Sequence, residues 1–340
     1  MRILILIATF GLLLGCDQQK TTDSATAEVE QEILVYSARK EHLIQPIFAR
    51  FTQETGIKVK YQTGKANALV ERLKAEGQNT PADILMTVDA GNLWYAASQN
   101  LFQPMNSEII NKNIPAHLRD PQQRWIGLSV RARTFVYSSK RLKGDELSSF
   151  ADLADPKWQG RLCLRTSKKV YSKSLLASII AHHGEQKAEQ IVKGWVHNLA
   201  AMPYSKDSHV MDAILADACD VGIVNTYYFG RLQQKNPNVN LKLAWANQAT
   251  TGAHINVSGA GLLKHAKHPQ AALKLLEWLS SESAQKDFGG LNKEYPANPN
   301  VELDPLVASW GEFKQDTLNL SKIGELQDDA VKLAQRVGYK

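Results

Sequence analysis

Two adjacent tyrosines, Tyr227 and Tyr228, stand at a point where side-chain chemistry and chain direction meet. They follow Asp220-Val221-Gly222-Ile223-Val224-Asn225-Thr226, which reads as a buried strand, a turn and the start of a helix. In an open α/β sheet, ligands sit just beyond the carboxyl ends of strands. A phenol placed there meets the positive end of the following helix, which favours its anionic form. Two phenolates side by side are hard oxygen donors and suit a small trivalent cation such as Fe³⁺. Neighbouring aromatics mostly serve as packing, so the strand-end position carries the argument for metal.

The elements around this pair repeat a short βα unit. Strands are expected over 32–37, 57–62 and 83–88, with helices over 41–55, 66–76 and about 90–99 between and after them. Such alternation predicts a largely parallel sheet covered on both faces. The stretch 124–137 (RWIGLSVRARTFVY) is a β-type segment long enough to pass from one lobe to another. A second set of units follows: a strand over 160–164, helices over 170–182 and 185–199, and a short strand over 202–204. Then come a helix over 208–216 with Ser208 as N-cap and the strand 221–224. The β-type stretch 254–263 returns the chain, and amphipathic helices are expected over 269–280 and 326–337. Two crossings between two βα lobes make a hinged cleft. Lobe 1 is expected to hold 32–133 and about 258–305, and lobe 2 to hold 134–257 and about 306–340.

The start of the chain indicates where it works. A basic start and the apolar run Ile3–Leu14 have signal-peptide proportions and are too short to span a bilayer comfortably. Leu13-Leu14-Gly15-Cys16 resembles a bacterial lipobox, which implies removal of 1–15 and lipidation of Cys16. Asp17 resembles the retention signal of Gram-negative inner-membrane lipoproteins, so the expected location is the periplasm, anchored by lipid to the inner membrane. In a Gram-positive cell the anchor would hold it at the surface. Residues 16–31 are polar and read as a solvated tether. The formal charge of +6 is spread without a Lys/Arg block and interleaved aromatics, which argues against a nucleic-acid partner. With Cys16 assigned to lipid, Cys163 and Cys219 remain, each near the start of an expected strand. A disulfide and two separate buried thiols are both open readings.

Several segments together resemble the periplasmic ferric-iron-binding proteins of ABC importers. They are Val35–Glu41, Phe51–Val59, Thr80–Leu85, Val130–Tyr137, Tyr204–Ser208, Asn225–Tyr228 and Glu294–Pro299, in order through residues 32–340. The 225–228 and 294–299 blocks are the most particular to the iron group. The resemblance implies an α/β, type II periplasmic-binding-protein fold with Fe³⁺ carried between the lobes. It also implies a monomer that delivers its cargo to a permease driven by a separate ATPase.

Residue by residue, Tyr227 and Tyr228 fall on the family's paired tyrosine ligands, and Tyr171 on a further tyrosine used by several subgroups. Where many relatives have His or His-Tyr, this chain has Lys40 and Glu41, so that ligand is missing, and His42 reads as a solvated face residue. Tyr36 ends a strand, facing the cleft or packed under a helix. Asp89 matches a carboxylate ligand of some relatives, but capping the next helix explains it better. A small anion such as carbonate, phosphate or citrate would complete the metal's oxygen donors. Arg131 and Arg133 share a strand face and offer paired donors to such an anion, with exposed salt bridges as the competing reading. Ser167, Lys168 and Asn225 are weaker candidates for the same anion.

Other functions find less support. A carrier of an oxyanion, a polyamine or thiamine on the same fold would need Arg131, Lys168 and Asn225 more than the tyrosines. No nucleophile elbow, Walker loop, H-E-x-x-H or paired-carboxylate motif points to an enzyme. His182 and His183, adjacent on a helix, point their rings apart.

Overall fold

The computed structural model describes residues 32–340. The leader, Cys16 and the tether lie outside the described residues. The chain opens with β1 (Glu32–Ser37), α1 (Gln45–Thr55), β2 (Lys58–Thr63), α2 (Ala66–Glu76), β3 (Ile84–Thr87) and α3 (Ala90–Ser98). β1 pairs in parallel with both β2 and β3. A six-residue helix, α4 (Glu108–Asn113), leads towards β4 (Ile126–Ser138).

β4 is buried along its whole length. From Ile126 to Ala132 it pairs antiparallel with β8 (Ile255–Leu262), and β9 (Tyr295–Pro296) lies against its middle. From Arg133 onward it changes partners, pairing antiparallel with β6 (Val221–Asn225) and β7 (Leu241–Ala244). β3 joins β8, and β5 (Leu162–Cys163) joins β6 in parallel. Two half-sheets therefore share one strand, in the order β2-β1-β3-β8-β4-β6-β5. The two strands approach closely at Gly259, where a Cβ would lie 2.1 Å from the Ile126 carbonyl oxygen, so a side chain has no room.

α5 (Val170–His197) is two helical stretches broken at Gly184, whose φ of 73° belongs to the left-handed region. α6 (Asp207–Leu215) and α7 (Thr226–Lys235) flank β6, and α8 (Pro269–Ser280) and α9 (Glu282–Gly290) follow β8. α10 (Pro305–Ala308), α11 (Leu320–Glu325) and α12 (Gln327–Arg336) complete the chain. Ile33, Val35, Phe48, Phe51, Leu275 and Phe288 pack as a core against the first half-sheet. Val136, Val210, Ile214, Val224 and Phe229 do so against the second.

Two local expectations fail. Ser208 lies inside α6 rather than capping it, because Lys206 is the N-cap and Asp207 is buried in the first turn. Residues 202–204 form no strand, only a single bridge between Tyr204 and Arg165. The pieces α4, β7, β9, α10 and α11 were not expected, since six residues or fewer carry little periodicity, and neither was the nine-residue α9. No helix among the described residues is long and apolar enough to cross a membrane.

Cys163 and Cys219 are joined by a disulfide, with Cα atoms 6.0 Å apart and a sequence separation of 56. The bond ties the chain just before β6 to β5. Replacing both cysteines by serine should cost about 2–4 kcal/mol in urea unfolding. An unchanged midpoint would show that the bond contributes nothing to stability.

Candidate metal centre

β6 ends at Asn225, which caps α7, so Tyr227 and Tyr228 sit in the first turn of that helix. Tyr171 is the second residue of α5. Two helix N-termini thus bring three phenols to one place, and both helix ends favour anionic oxygen there. The Tyr227 and Tyr228 rings lie 4.4 Å apart, centre to centre. Guanidinium groups cover them. Arg131 of β4 sits 5.2 Å from the Tyr171 ring centre. Arg165 sits 5.0 Å from Tyr171 and 5.9 Å from Tyr228. Arg231, one helical turn beyond Tyr227, lies 5.1 Å from that ring.

These groups line a cavity of about 500 Å³. Seven cationic side chains face it (Arg39, Lys40, Arg131, Arg165, Lys169, Lys206 and Arg231) against one carboxylate, Glu294. Burial would push Glu294 up, but the Arg39 guanidinium 3.0 Å away, with Arg131 and the Ser129 hydroxyl, brings it below the usual carboxylate range. Nε and Nη2 of Arg39 and Nε of Arg131 are buried with no hydrogen-bond partner among the described residues. Burial also drives the Tyr227 phenol well above 10, and the neighbouring Tyr171 and Tyr228 oxygens add to the shift while Arg131 opposes it. Tyr171 moves up for the same first reason, again opposed by Arg131. Without a cation, these two phenols keep their protons at neutral pH.

A buried carboxylate holds the second half-sheet's share of the site. Asp207 pairs with Arg133 at 3.0 Å and with Arg165 at 3.4 Å, and accepts the Asn225 N–H at 3.0 Å. It thereby fixes both the arginine over Tyr171 and the residue that starts the tyrosine helix. The Asn225 amide Nδ2 lies 3.5 Å from the Tyr227 hydroxyl. Arg133 is spent on Asp207, Asn225 and the Ile223 carbonyl and does not line the cavity.

Other expected residues lie elsewhere. Tyr36 is fully buried beneath Arg72, donates its hydroxyl to Glu76 at 3.0 Å and is pushed up to about 12 by burial; it is not brought to the group. Asp89 caps α3 by accepting the Gly91 N–H at 2.8 Å, and also receives Ser174 and Asn256. Burial raises its carboxyl to about 6, against the pull of Arg131. It stands behind Arg131, outside the cavity lining. Ser167 turns away to donate to the Tyr339 carbonyl, and Lys168 is exposed beside it. Lys40, Glu41 and His42 are exposed, with Glu41 accepting from Tyr61. Among the described residues no group of three or more His, Cys, Asp or Glu could hold a metal.

Arg39, Arg165, Asp207, Arg231 and Glu294 escaped the sequence reading. Arg39, Asp207 and Glu294 lie inside segments singled out above, Arg165 directly follows the strand expected over 160–164, and Arg231 carries a signal of its own, its i+4 spacing from Tyr227.

Two half-sheets joined through one long strand, with a cation-lined crevice at strand ends and helix starts, define a solute-binding protein of the type II periplasmic fold. The chain belongs to the bacterial extracellular solute-binding proteins, whose family model matches residues 47–315. It is 41% identical to iron uptake protein A1 of Synechocystis sp., over 97% of this chain and 93% of that protein. It superposes on the Trichodesmium protein IdiA (FutA), solved in complex with iron and citrate ligands, with a TM-score of 0.88 at 41% identity. That match covers 91% of this chain and all of the other. Ferric iron-binding protein A of Mannheimia haemolytica, solved in an open conformation, gives a TM-score of 0.85 at 36% identity, covering 91% and 99%.

Asp207→Asn leaves Arg133 and Arg165 buried without their shared counter-charge. Equilibrium urea unfolding should show a loss of about 3–5 kcal/mol. A loss below about 1 kcal/mol would mean that the two arginines find other partners.

Proposed function

We propose that this chain is the substrate-binding component of an iron(III) ABC importer, taking Fe³⁺ on the phenolates of Tyr171, Tyr227 and Tyr228. The observation that carries this reading is the meeting of three phenols at two helix N-termini inside a crevice lined by guanidinium groups. Three phenolates balance the ion's charge. Of the seven cations, Arg39, Arg131 and Arg165 have carboxylate partners in Glu294, Asp89 and Asp207, which leaves the charges of Lys40, Lys169, Lys206 and Arg231 to an oxyanion such as carbonate, phosphate or citrate bound beside the metal. Arg39 and Arg131, with unpartnered N–H groups, are its donors. The same lining repels polyamines and thiamine, which are cations.

Capture begins with proton loss. Fe³⁺ displaces the phenol protons that burial otherwise retains, and Arg131 and the helix ends lower the cost. The half-sheets act as lobes that close by bending at the β4 partner change and at the start of β8. Closure excludes water and competing chelators. Docking on an inner-membrane permease, powered by its ATPase, or reduction to softer Fe²⁺ loosens the grip. The protein works as a monomer in the periplasm, tethered through lipid on Cys16.

Iron titration of the purified protein should produce a phenolate-to-iron charge-transfer band that acid removes. At pH 7, binding should release at least two protons per ion, from Tyr171 and Tyr227. Tyr227→Phe with Tyr228→Phe should abolish the band and weaken binding by more than roughly a hundredfold. A colourless titration, or a double variant that binds as wild type does, contradicts the proposal. Binding of the oxyanion alone with unchanged affinity in that variant would favour an oxyanion carrier instead.

A further inference from the structure

We propose that Tyr339 is a positioning residue for the third phenol, and that residues 339 and 340 strap the segment 165–171 that delivers it. The proposal rests on the three-phenol reading above.

Tyr171 needs such support. β5 ends at Cys163, and the chain from Leu164 to Lys169 belongs to no strand or helix. Its ladder contact is the single bridge between Arg165 and Tyr204. α5 then starts at Val170 without a side-chain cap. An uncapped first turn after an irregular segment frays readily unless tertiary contacts hold it.

Three hydrogen bonds from the far end of the sequence supply the contact. The Tyr339 hydroxyl donates to the Arg165 carbonyl at 2.5 Å. The Ser167 hydroxyl donates to the Tyr339 carbonyl at 2.7 Å, and the Ser167 N–H to the Lys340 carbonyl at 3.0 Å. Arg165, Ser167 and Tyr339 are all buried, so these bonds exchange little with water. Arg165 is thus held through its backbone by Tyr339 while its guanidinium lies over Tyr171 and Tyr228. Burial pushes the Tyr339 phenol up to about 12, which keeps it a donor at neutral pH. Its hydroxyl is committed to Arg165 and the residue does not line the crevice, so it is no ligand itself. α12, which leads into Tyr339, is pinned to the second stretch of α5 by Arg336 with Glu185 and Glu189. The chain from Arg336 to Lys340 therefore holds both the segment that leads into α5 and the stretch of α5 beyond Gly184.

The test is a double-mutant cycle on the full chain, read by the ferric charge-transfer band and by competition with a chelator. Tyr339→Phe keeps the ring and removes one hydroxyl. It should weaken ferric binding roughly fivefold to tenfold and move the band towards that of Tyr171→Phe. In the Tyr171→Phe background the same change should alter affinity less than about twofold, because the phenol it positions is gone. A wild-type band and affinity for Tyr339→Phe overturn the strap while leaving the three-phenol centre intact. Equal weakening in both backgrounds also overturns it, since that marks general loosening. If Tyr171→Phe itself binds as wild type does, the three-phenol reading fails and the strap falls with it. Should Tyr339→Phe not fold, Ser167→Ala, which removes the hydroxyl from the neighbouring bond, is judged by the same criteria.

Discussion

Phenols crowded into a low-dielectric crevice cannot ionise without a compensating charge, and the whole arrangement follows from that constraint. Burial and mutual repulsion hold Tyr227 and Tyr171 in the protonated form, while Arg131 pulls the other way. A trivalent cation held by all three oxygens, as proposed, would tip the balance by stabilising them at once. The selectivity of such a site is therefore electrostatic before it is geometric. An ion of lower charge leaves the repulsion less compensated.

The scaffold serves this constraint by putting charges where a sheet usually puts hydrocarbon. β4 is buried throughout and still carries Arg131 and Arg133, one aimed at the crevice and one spent on Asp207. Unpaired, either guanidinium would cost several kcal/mol in the interior. Asp89 behind Arg131 and Asp207 beside Arg133 and Arg165 supply the counter-charges from opposite half-sheets. β4 also changes hydrogen-bonding partners between these two arginines. Bending at that point would move the half-sheets while leaving each buried pair intact.

Much of the fold was legible because its larger elements have strong periodicity. β1, α2 and α8 begin and end at the expected residues, and the strand-to-helix junction bearing Tyr227 and Tyr228 was visible in the run Val221–Tyr228. What failed depends on tertiary partners. Tyr36 follows the pleat away from the crevice, and its facing is set by Arg72 and Glu76 on α2. Ser167 and Lys168 precede Tyr171 closely in sequence, but Ser167 turns to residues 339 and 340, which no local pattern reveals. Arg39, Asp207 and Glu294 lie in segments that the sequence marks, and Arg165 just beyond an expected strand, yet a one-dimensional pattern cannot say which charge in a segment points inward. The distribution of donors is uneven: the candidate phenols come from the second half-sheet, whereas the first offers Arg39 and Glu294.

That asymmetry makes location of the metal the most direct test. A crystal structure of the iron-loaded protein, phased at the iron absorption edge, should place the anomalous peak in direct bonding contact with the oxygens of Tyr171, Tyr227 and Tyr228. The residues 40–42 should make no bond to it, and an oxyanion should fill the remaining positions. A peak bound by His42 or Glu41, or one distant from the three phenols, would contradict the account.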